Sequence, residues 1–185
     1  MNRLAGRCVR GALQALVFAA VALSAAAIQV APVWAQTTNL VVNGSFESPP
    51  VQDASKYDTL AVGNTRLDPW VIGGHSVDHV GKFWKAADGT QSIDLDGTAP
   101  GSLTQFVATI PGRSYKLRFQ YSGHPDRGSH TPSMTVRFGA NGASNYALEE
   151  SFVFTGKSQK ANMGWITVER TVTAPSGASQ LSLAC

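Results

Sequence analysis

Beyond residue 35 the chain alternates apolar and polar residues in short runs broken by Gly, Pro, Asn and Asp, and no stretch holds a helical period over a dozen residues. The clearest run is Ser114 to Ser122, with Tyr115, Leu117, Phe119 and Tyr121 on one side and Lys116, Arg118 and Gln120 on the other. Met134, Val136 and Phe138 alternate with Thr135 and Arg137, and Ile166, Val168 and Val172 with Thr167, Glu169 and Thr171. A period of two puts one set of side chains in a core and the other in water, which is the mark of a half-buried strand. Further strands are predicted at 39–43, 69–72, 91–95, 103–110, 146–154 and 180–183, separated by the turn pairs Asp88-Gly89, Asp96-Gly97, Pro100-Gly101, Pro111-Gly112 and Asn141-Gly142. Roughly nine strands in this length predict an all-β fold, a two-sheet antiparallel jelly-roll sandwich.

The first 35 residues read differently. Arg3, Arg7 and Arg10 precede an alanine-rich apolar run from Gly11 to Pro32, and Val33-Trp34-Ala35 offers small residues at a cleavage position before the polar Gln36-Thr37-Thr38. This is the layout of an export signal, with the cut expected after Ala35 and no membrane segment left in the mature chain. An uncleaved anchor is the alternative, which Gln14, Gln29 and Pro32 weaken.

Removing the leader changes the charge. The chain carries 15 Lys and Arg against 12 Asp and Glu, and three of the cations lie in the leader, so the mature part is formally neutral. The basic isoelectric point is therefore no sign of nucleic-acid binding, and none is expected. The remaining 150 residues make one domain, 36–185. Cys185 is its single cysteine, so no internal disulfide is available and packing must supply the stability.

Several segments carry a family likeness. They are Asn39-Leu-Val-Val-Asn-Gly-Ser-Phe-Glu47, Val77-Asp-His-Val-Gly81, Phe83-Trp-Lys-Ala-Ala-Asp-Gly89, Ser92-Ile-Asp-Leu-Asp-Gly97, Pro100-Gly-Ser-Leu-Thr-Gln105, Ser122-Gly-His-Pro-Asp126 and Asn162-Met-Gly-Trp165. In this order and spacing they resemble the bacterial choice-of-anchor C family, related to the plant cell-wall proteins grouped as domain of unknown function 642. The resemblance runs from Asn39 to Leu183 and implies a secreted, galactose-binding-like jelly roll with no catalytic activity, whose plant relatives are associated with cell-wall polysaccharide. Relatives continue into a closing strand with Gly-Pro and Asp-Asn-Val motifs and often a sorting anchor. This chain stops at Ser182-Leu-Ala-Cys185, so a missing last strand and an unpaired sheet edge are expected.

Catalysis of glycoside cleavage needs two carboxylates facing each other, and the available pairs are Asp88 with Asp94 and Glu47 with Asp94. Asp88-Gly89 and Asp96-Gly97 read better as turns, so an enzyme is not expected. His75 and His79 have metal-ligand spacing only on a helix, which this segment is not, and His124 and His130 bracket a polar loop. The resembling modules often carry a structural calcium ion, for which Glu47 and Asp94 are the candidate ligands here.

Sugar binding asks for an aromatic surface against the apolar face of a pyranose and polar groups for its hydroxyls. Trp84, Trp165 and Tyr121 are the candidate platforms, with His79, Lys85, Asp88 and Arg118 as polar partners, and Trp70 reads as core. Trp84 stands among Lys82, Lys85 and the Asp88-Gly89 turn, and Trp165 falls in register with Thr167 and Glu169, so both are expected to reach solvent. Lys116, Arg118 and Arg137 read as a solvated sheet face, with capture of an acidic polysaccharide as the alternative. Three functions follow in order: a non-catalytic module of the envelope or matrix that binds a polysaccharide or glycan, an adhesive surface protein that contacts other proteins, and a glycoside hydrolase.

Overall fold

The computed structural model describes residues 38–126 and 131–185. The leader and its cleavage site, together with His130, lie outside these residues. Among the described residues ten strands form, all antiparallel: β1 (Tyr57–Ala61), β2 (Val71–Gly74), β3 (Ser76–Val80), β4 (Ser92–Asp94), β5 (Gly101–Ala108), β6 (Ser114–Tyr121), β7 (Ser133–Ala140), β8 (Leu148–Val153), β9 (Ile166–Thr173) and β10 (Ala178–Ala184). They make a five-stranded sheet in the order β2-β5-β10-β7-β8, a three-stranded ribbon β1-β3-β4 and a two-stranded ribbon β6-β9.

All three sheets turn an apolar face to one core. The large sheet contributes Ile72, Leu103, Val107, Val136, Phe138, Phe152 and Leu181; the ribbons supply Leu60, Val77, Val168 and Val172, and Leu67 and Trp70 fill the space between. The sandwich therefore has a continuous layer opposite a divided one. Trp70 is buried, as its reading as core required, and its Nε1 donates to the Asn43 carbonyl at 3.2 Å. The alternation of β6 and β7 appears as predicted, with Tyr115, Leu117, Phe119 and Tyr121 packed on the core and Lys116, Arg118 and Gln120 outside; on β9, Val168 and Val172 are buried but Ile166 at its start is exposed.

The predicted first strand does not form. Residues 41–45 make turns, because Asn43 adopts a left-handed conformation (φ 51°) and the Phe46 N–H closes back on the Asn43 carbonyl at 3.1 Å. The peptide groups of Val42 pair instead with the side-chain amide of Gln105: its Oε1 accepts from the Val42 N–H and its Nε2 donates to the Val42 carbonyl, each at 2.8 Å. Gln105 is 1% exposed, so this two-way bond offsets the cost of burying an amide. β1 and β3 are strands that the alternation does not announce. The final apolar run, read as a strand at 180–183, lies in the middle of the large sheet, with β5 and β7 hydrogen-bonded on its two sides. No unpaired edge arises at β10.

An ion pair ties the layers at one side. Arg170 of β9 donates through Nε and Nη2 to both oxygens of Glu150 on β8, at 2.7 and 2.5 Å, and its guanidinium lies over the Phe152 ring. Leu103 is fully buried on the large sheet's inner face, where Leu183 of β10 stands opposite it. Leu103→Ala is expected to cost about 2–5 kcal/mol in urea denaturation, whereas Phe106→Ala, on the outer face, should change stability by less than about 1 kcal/mol.

Candidate functional site

The β1-β3-β4 ribbon sorts its residues by strict alternation. Leu60 and Val77 pair on the inner side together with Asp58 and His79, while Tyr57, Thr59, Asp78, Val80, Ser92 and Asp94 share the outer side. Thr59, Asp78 and Asp94 lie in one row across the three strands. Adjacent carboxylates on one face repel, and each is supplied with a donor. Thr59 Oγ1 donates to Asp78 Oδ1 at 2.7 Å, the Asp96 N–H donates to Asp94 Oδ1 at 3.0 Å, and His124 Nε2 stands 3.7 Å from Asp94 Oδ2.

Next to this polar row the outer face carries its own small apolar cluster. Val80, Trp84 and Met163 are buried there, with Phe83 and Trp165 packed against them. Between row and cluster opens a groove of about 280 Å³ lined by Tyr57, Asp78, Phe83, Trp84, Asp94, Gly97, His124 and Asp126. Tyr57 is 46% exposed and meets Phe83 edge-on at 5.5 Å, so aromatic rings and carboxylates line the groove together. Gly97 keeps the floor open, because a Cβ there would lie 3.0 Å from Asp78 Oδ1 and 2.8 Å from Ser76 Oγ. Lys160 holds Asp126 at 3.0 Å and places its ammonium 3.8 Å above the Phe83 ring.

The residues singled out in the sequence are spread over the molecule. Asp94 and an edge of Trp84 reach the groove, but the expected exposure of Trp84 is wrong: it is 6% exposed, and its Nε1 donates to Ser92 Oγ at 2.9 Å. Its charged neighbours in sequence point away while the indole covers Val80. Trp165 lies on the outer side, as its register indicated, yet the cluster half-buries it and its Nε1 donates to the Lys85 carbonyl at 3.0 Å. Lys85 is exposed beside it. Tyr121 packs its ring on Phe119, Phe152 and Phe154 in the core and offers no platform. Asp88 accepts from the Gly89 N–H in the turn predicted for it. Arg118 and Lys116 share Glu169 on the two-stranded ribbon, while Arg137, on the opposite layer, pairs with Glu149 at 2.7 Å, so the three cations form no common stripe. His75 bonds to Thr98 and Ser76, away from His79.

Tyr57, Asp78, Phe83, His124 and Asp126 escaped the sequence reading. The signal for four of them was present in the quoted segments Val77 to Gly81, Phe83 to Gly89 and Ser122 to Asp126, whose polar and aromatic residues converge here. Tyr57 lies in a strand with no apolar alternation to mark it.

Glu47 reaches the loop before β4. Its Oε1 accepts from the N–H groups of Thr90 and Gln91 at 2.8 and 2.7 Å, and its Oε2 from the Thr90 hydroxyl at 2.9 Å. Partial burial by itself raises its pKa, but these donors outweigh it and the net shift is downward. Gly89 (φ +63°) allows the close approach, since a Cβ would fall 2.4 Å from Oε1. A carboxylate facing three N–H and O–H donors is an anion site turned inward, and this donor set does not fit a calcium ion. Glu47 is taken up by Thr90 and Gln91 and Asp88 by the Gly89 N–H, and among the described residues no group of three His, Cys, Asp or Glu side chains is placed to hold a metal ion.

His79 is fully buried, so it cannot meet a surface ligand. Its Nε2–H donates to the Phe46 carbonyl at 2.8 Å, where Gln91 Nε2 also donates, and Nδ1 has no partner among the described residues. Burial drives its pKa below the ordinary histidine value and outweighs the Phe46 hydrogen bond. The unfolded chain therefore binds a proton more readily, and the stability from a neutral His79 is present above about pH 6.5 and is lost as pH falls through the lower folded value. Imidazole NMR should show an Nε2–H tautomer that titrates below pH 6.5; a His79 that titrates at or above that value refutes the assignment.

Residues 39–184 match the family described as "Protein of unknown function (DUF642)". Halomucin of Haloquadratum walsbyi is 39% identical over 113 residues, which are 60% of this chain and 1% of halomucin. Among solved structures, a family 16 carbohydrate-binding module is 20% identical, with 79% of this chain and 87% of that one covered at a TM-score of 0.47. A family 61 carbohydrate-binding module in complex with β-1,4-galactotriose is 12% identical, covering 80% and 86% at 0.40. Arthrobacter globiformis isomalto-dextranase complexed with panose is 18% identical, covering 70% of this chain and 20% of the enzyme at 0.44. At these scores the likenesses carry no functional argument. Among the described residues no helix is long and apolar enough to cross a membrane.

Proposed function

The chain belongs to the DUF642 family, and we propose that it acts as a non-catalytic carbohydrate-binding module whose site is the groove on the outer face of the β1-β3-β4 ribbon. The supporting observation is the lining of that groove, where the rings of Tyr57 and Phe83 stand with the carboxylates of Asp78, Asp94 and Asp126. A pyranose ring has the matching anatomy, with an apolar C–H face that packs on an aromatic ring and hydroxyls that donate to carboxylates. Asp78 and Asp94 project from neighbouring strands of one face rather than from two sides of a bound sugar, which supports binding over hydrolysis.

The adhesive reading has less support. Val71, Phe106 and Val153 are exposed on the outer face of the large sheet, but the register separates them with Thr104, Ser182, Gln180 and Ser133, so they make no continuous apolar patch. In our reading the protein is exported with its leader cut after Ala35, and we assign it, on the resemblance of its motifs, to the choice-of-anchor C group.

Polysaccharide pull-down followed by calorimetry tests the site. Tyr57→Ala and Phe83→Ala are expected to weaken binding about tenfold or more with the fold retained. Trp165→Ala and Trp84→Ala should instead lower the melting temperature, because both indoles are anchored in the satellite cluster. Absence of binding to every glycan at millimolar concentration, or sugar release that depends on Asp78, overturns the proposal.

A further inference from the structure

The groove does not end at His124. A second, larger trough of about 510 Å³ shares His124 in its lining and lies between residues 123–125, Thr131 and Pro132 and residues 154–159. His124 lines both spaces, so they adjoin at this residue. That side chain is held: the Asp126 N–H donates to its Nδ1 at 3.0 Å, which leaves the proton on Nε2 toward Asp94, and its ring stands edge-on to Trp84 at 5.2 Å. A fixed imidazole at the waist makes a saddle between the two spaces.

The two spaces differ in chemistry. The groove has exposed aromatic surface, whereas the aromatic ring under the trough, Phe154, is 4% exposed. Two glycines cover it: a Cβ at Gly123 would lie 2.6 Å from Phe154 Cδ1, and one at Gly156 would lie 2.8 Å from Cζ. The trough floor is therefore bare backbone, and the exposed Thr155, Lys157 and Gln159 stand along it. Peptide groups, hydroxyls, an amide and an ammonium suit hydrogen bonding to sugar hydroxyls and do not suit ring stacking.

Resting on the groove as the sugar site, we propose that groove and trough form one track for an internal stretch of a polysaccharide chain, with a stacking subsite at Tyr57 and Phe83 and hydrogen-bonding subsites beyond His124. The trough has nearly twice the volume of the groove. A groove that takes one ring thus continues into space for about two more. The ligand class is a linear oligosaccharide or polysaccharide of about three or more units, not a monosaccharide or a single chain-terminal residue.

Calorimetry with gluco-, galacto- and xylo-oligosaccharide ladders of one to six units tests this. For the ladder that binds, affinity should rise at least tenfold from one unit to three and level off near four. In the Lys157→Ala/Gln159→Ala double variant, whose exposed positions leave the core intact, the ratio of three-unit to one-unit affinity should fall toward one. Affinity that is flat with length while still depending on Tyr57, or a length gain that survives the double variant, overturns the track and leaves the groove standing. If no ladder binds and Phe83→Ala has nothing to weaken, the groove and the track fall together.

Discussion

Burial of a single apolar core between one continuous sheet and two ribbons governs the rest of the molecule. Each strand has only two faces, and the core claims one of them along β1, β3, β5, β6, β7, β9 and β10. Chemistry is left to the outer faces and the connecting loops. On the large sheet the outer face carries Ser and Thr in hydroxyl pairs such as Thr104 with Ser182 and Thr135 with Ser151. On the three-stranded ribbon the loops after β3, β6 and β8 fold over the outer face, and there a polar row acquires aromatic walls. The groove is the place where a sheet face is neither core nor bare to solvent.

This explains what could be read from the sequence. β6, β7 and β9 were legible because one face is wet and the other is dry, so alternation in hydropathy follows alternation in space. β3 was not, since Ser76, Val77, His79 and Val80 are all buried and the strand is covered on both sides. Trp84 misled for the same reason: its charged neighbours describe solvent along the chain, while the indole joins a second cluster that only the fold assembles. The opening segment failed in another way. Its apolar residues satisfy a strand pattern, but the left-handed Asn43 turns the chain and the buried Gln105 amide satisfies the peptide groups that a neighbouring strand would have met.

Charge is balanced locally as well as in total. Lys116 and Arg118 share Glu169, while Lys56 faces Asp53, Arg66 faces Asp58, Arg137 faces Glu149 and Lys160 faces Asp126. Such a surface projects little field beyond a few ångströms, so a partner is neither drawn in nor repelled from a distance. Recognition then rests on shape and on hydrogen bonds made after contact, which accords with an uncharged polyhydroxylated ligand.

The place of β10 has a consequence for how the molecule comes together. β5 and β7 are not neighbours: residues 178–184 lie between them and supply the hydrogen bonds that join the two halves of the large sheet. β10 meets β5 across the whole stretch from residue 109 to residue 177, a costly loop to close before any reward. During synthesis, β7 and β8 can pair as they emerge, but the sheet stays in two pieces until its keystone leaves the ribosome. The molecule therefore assembles late and at once, and a nascent chain halted before Ala178 would leave inner edges of β5 and β7 open to pairing with other chains.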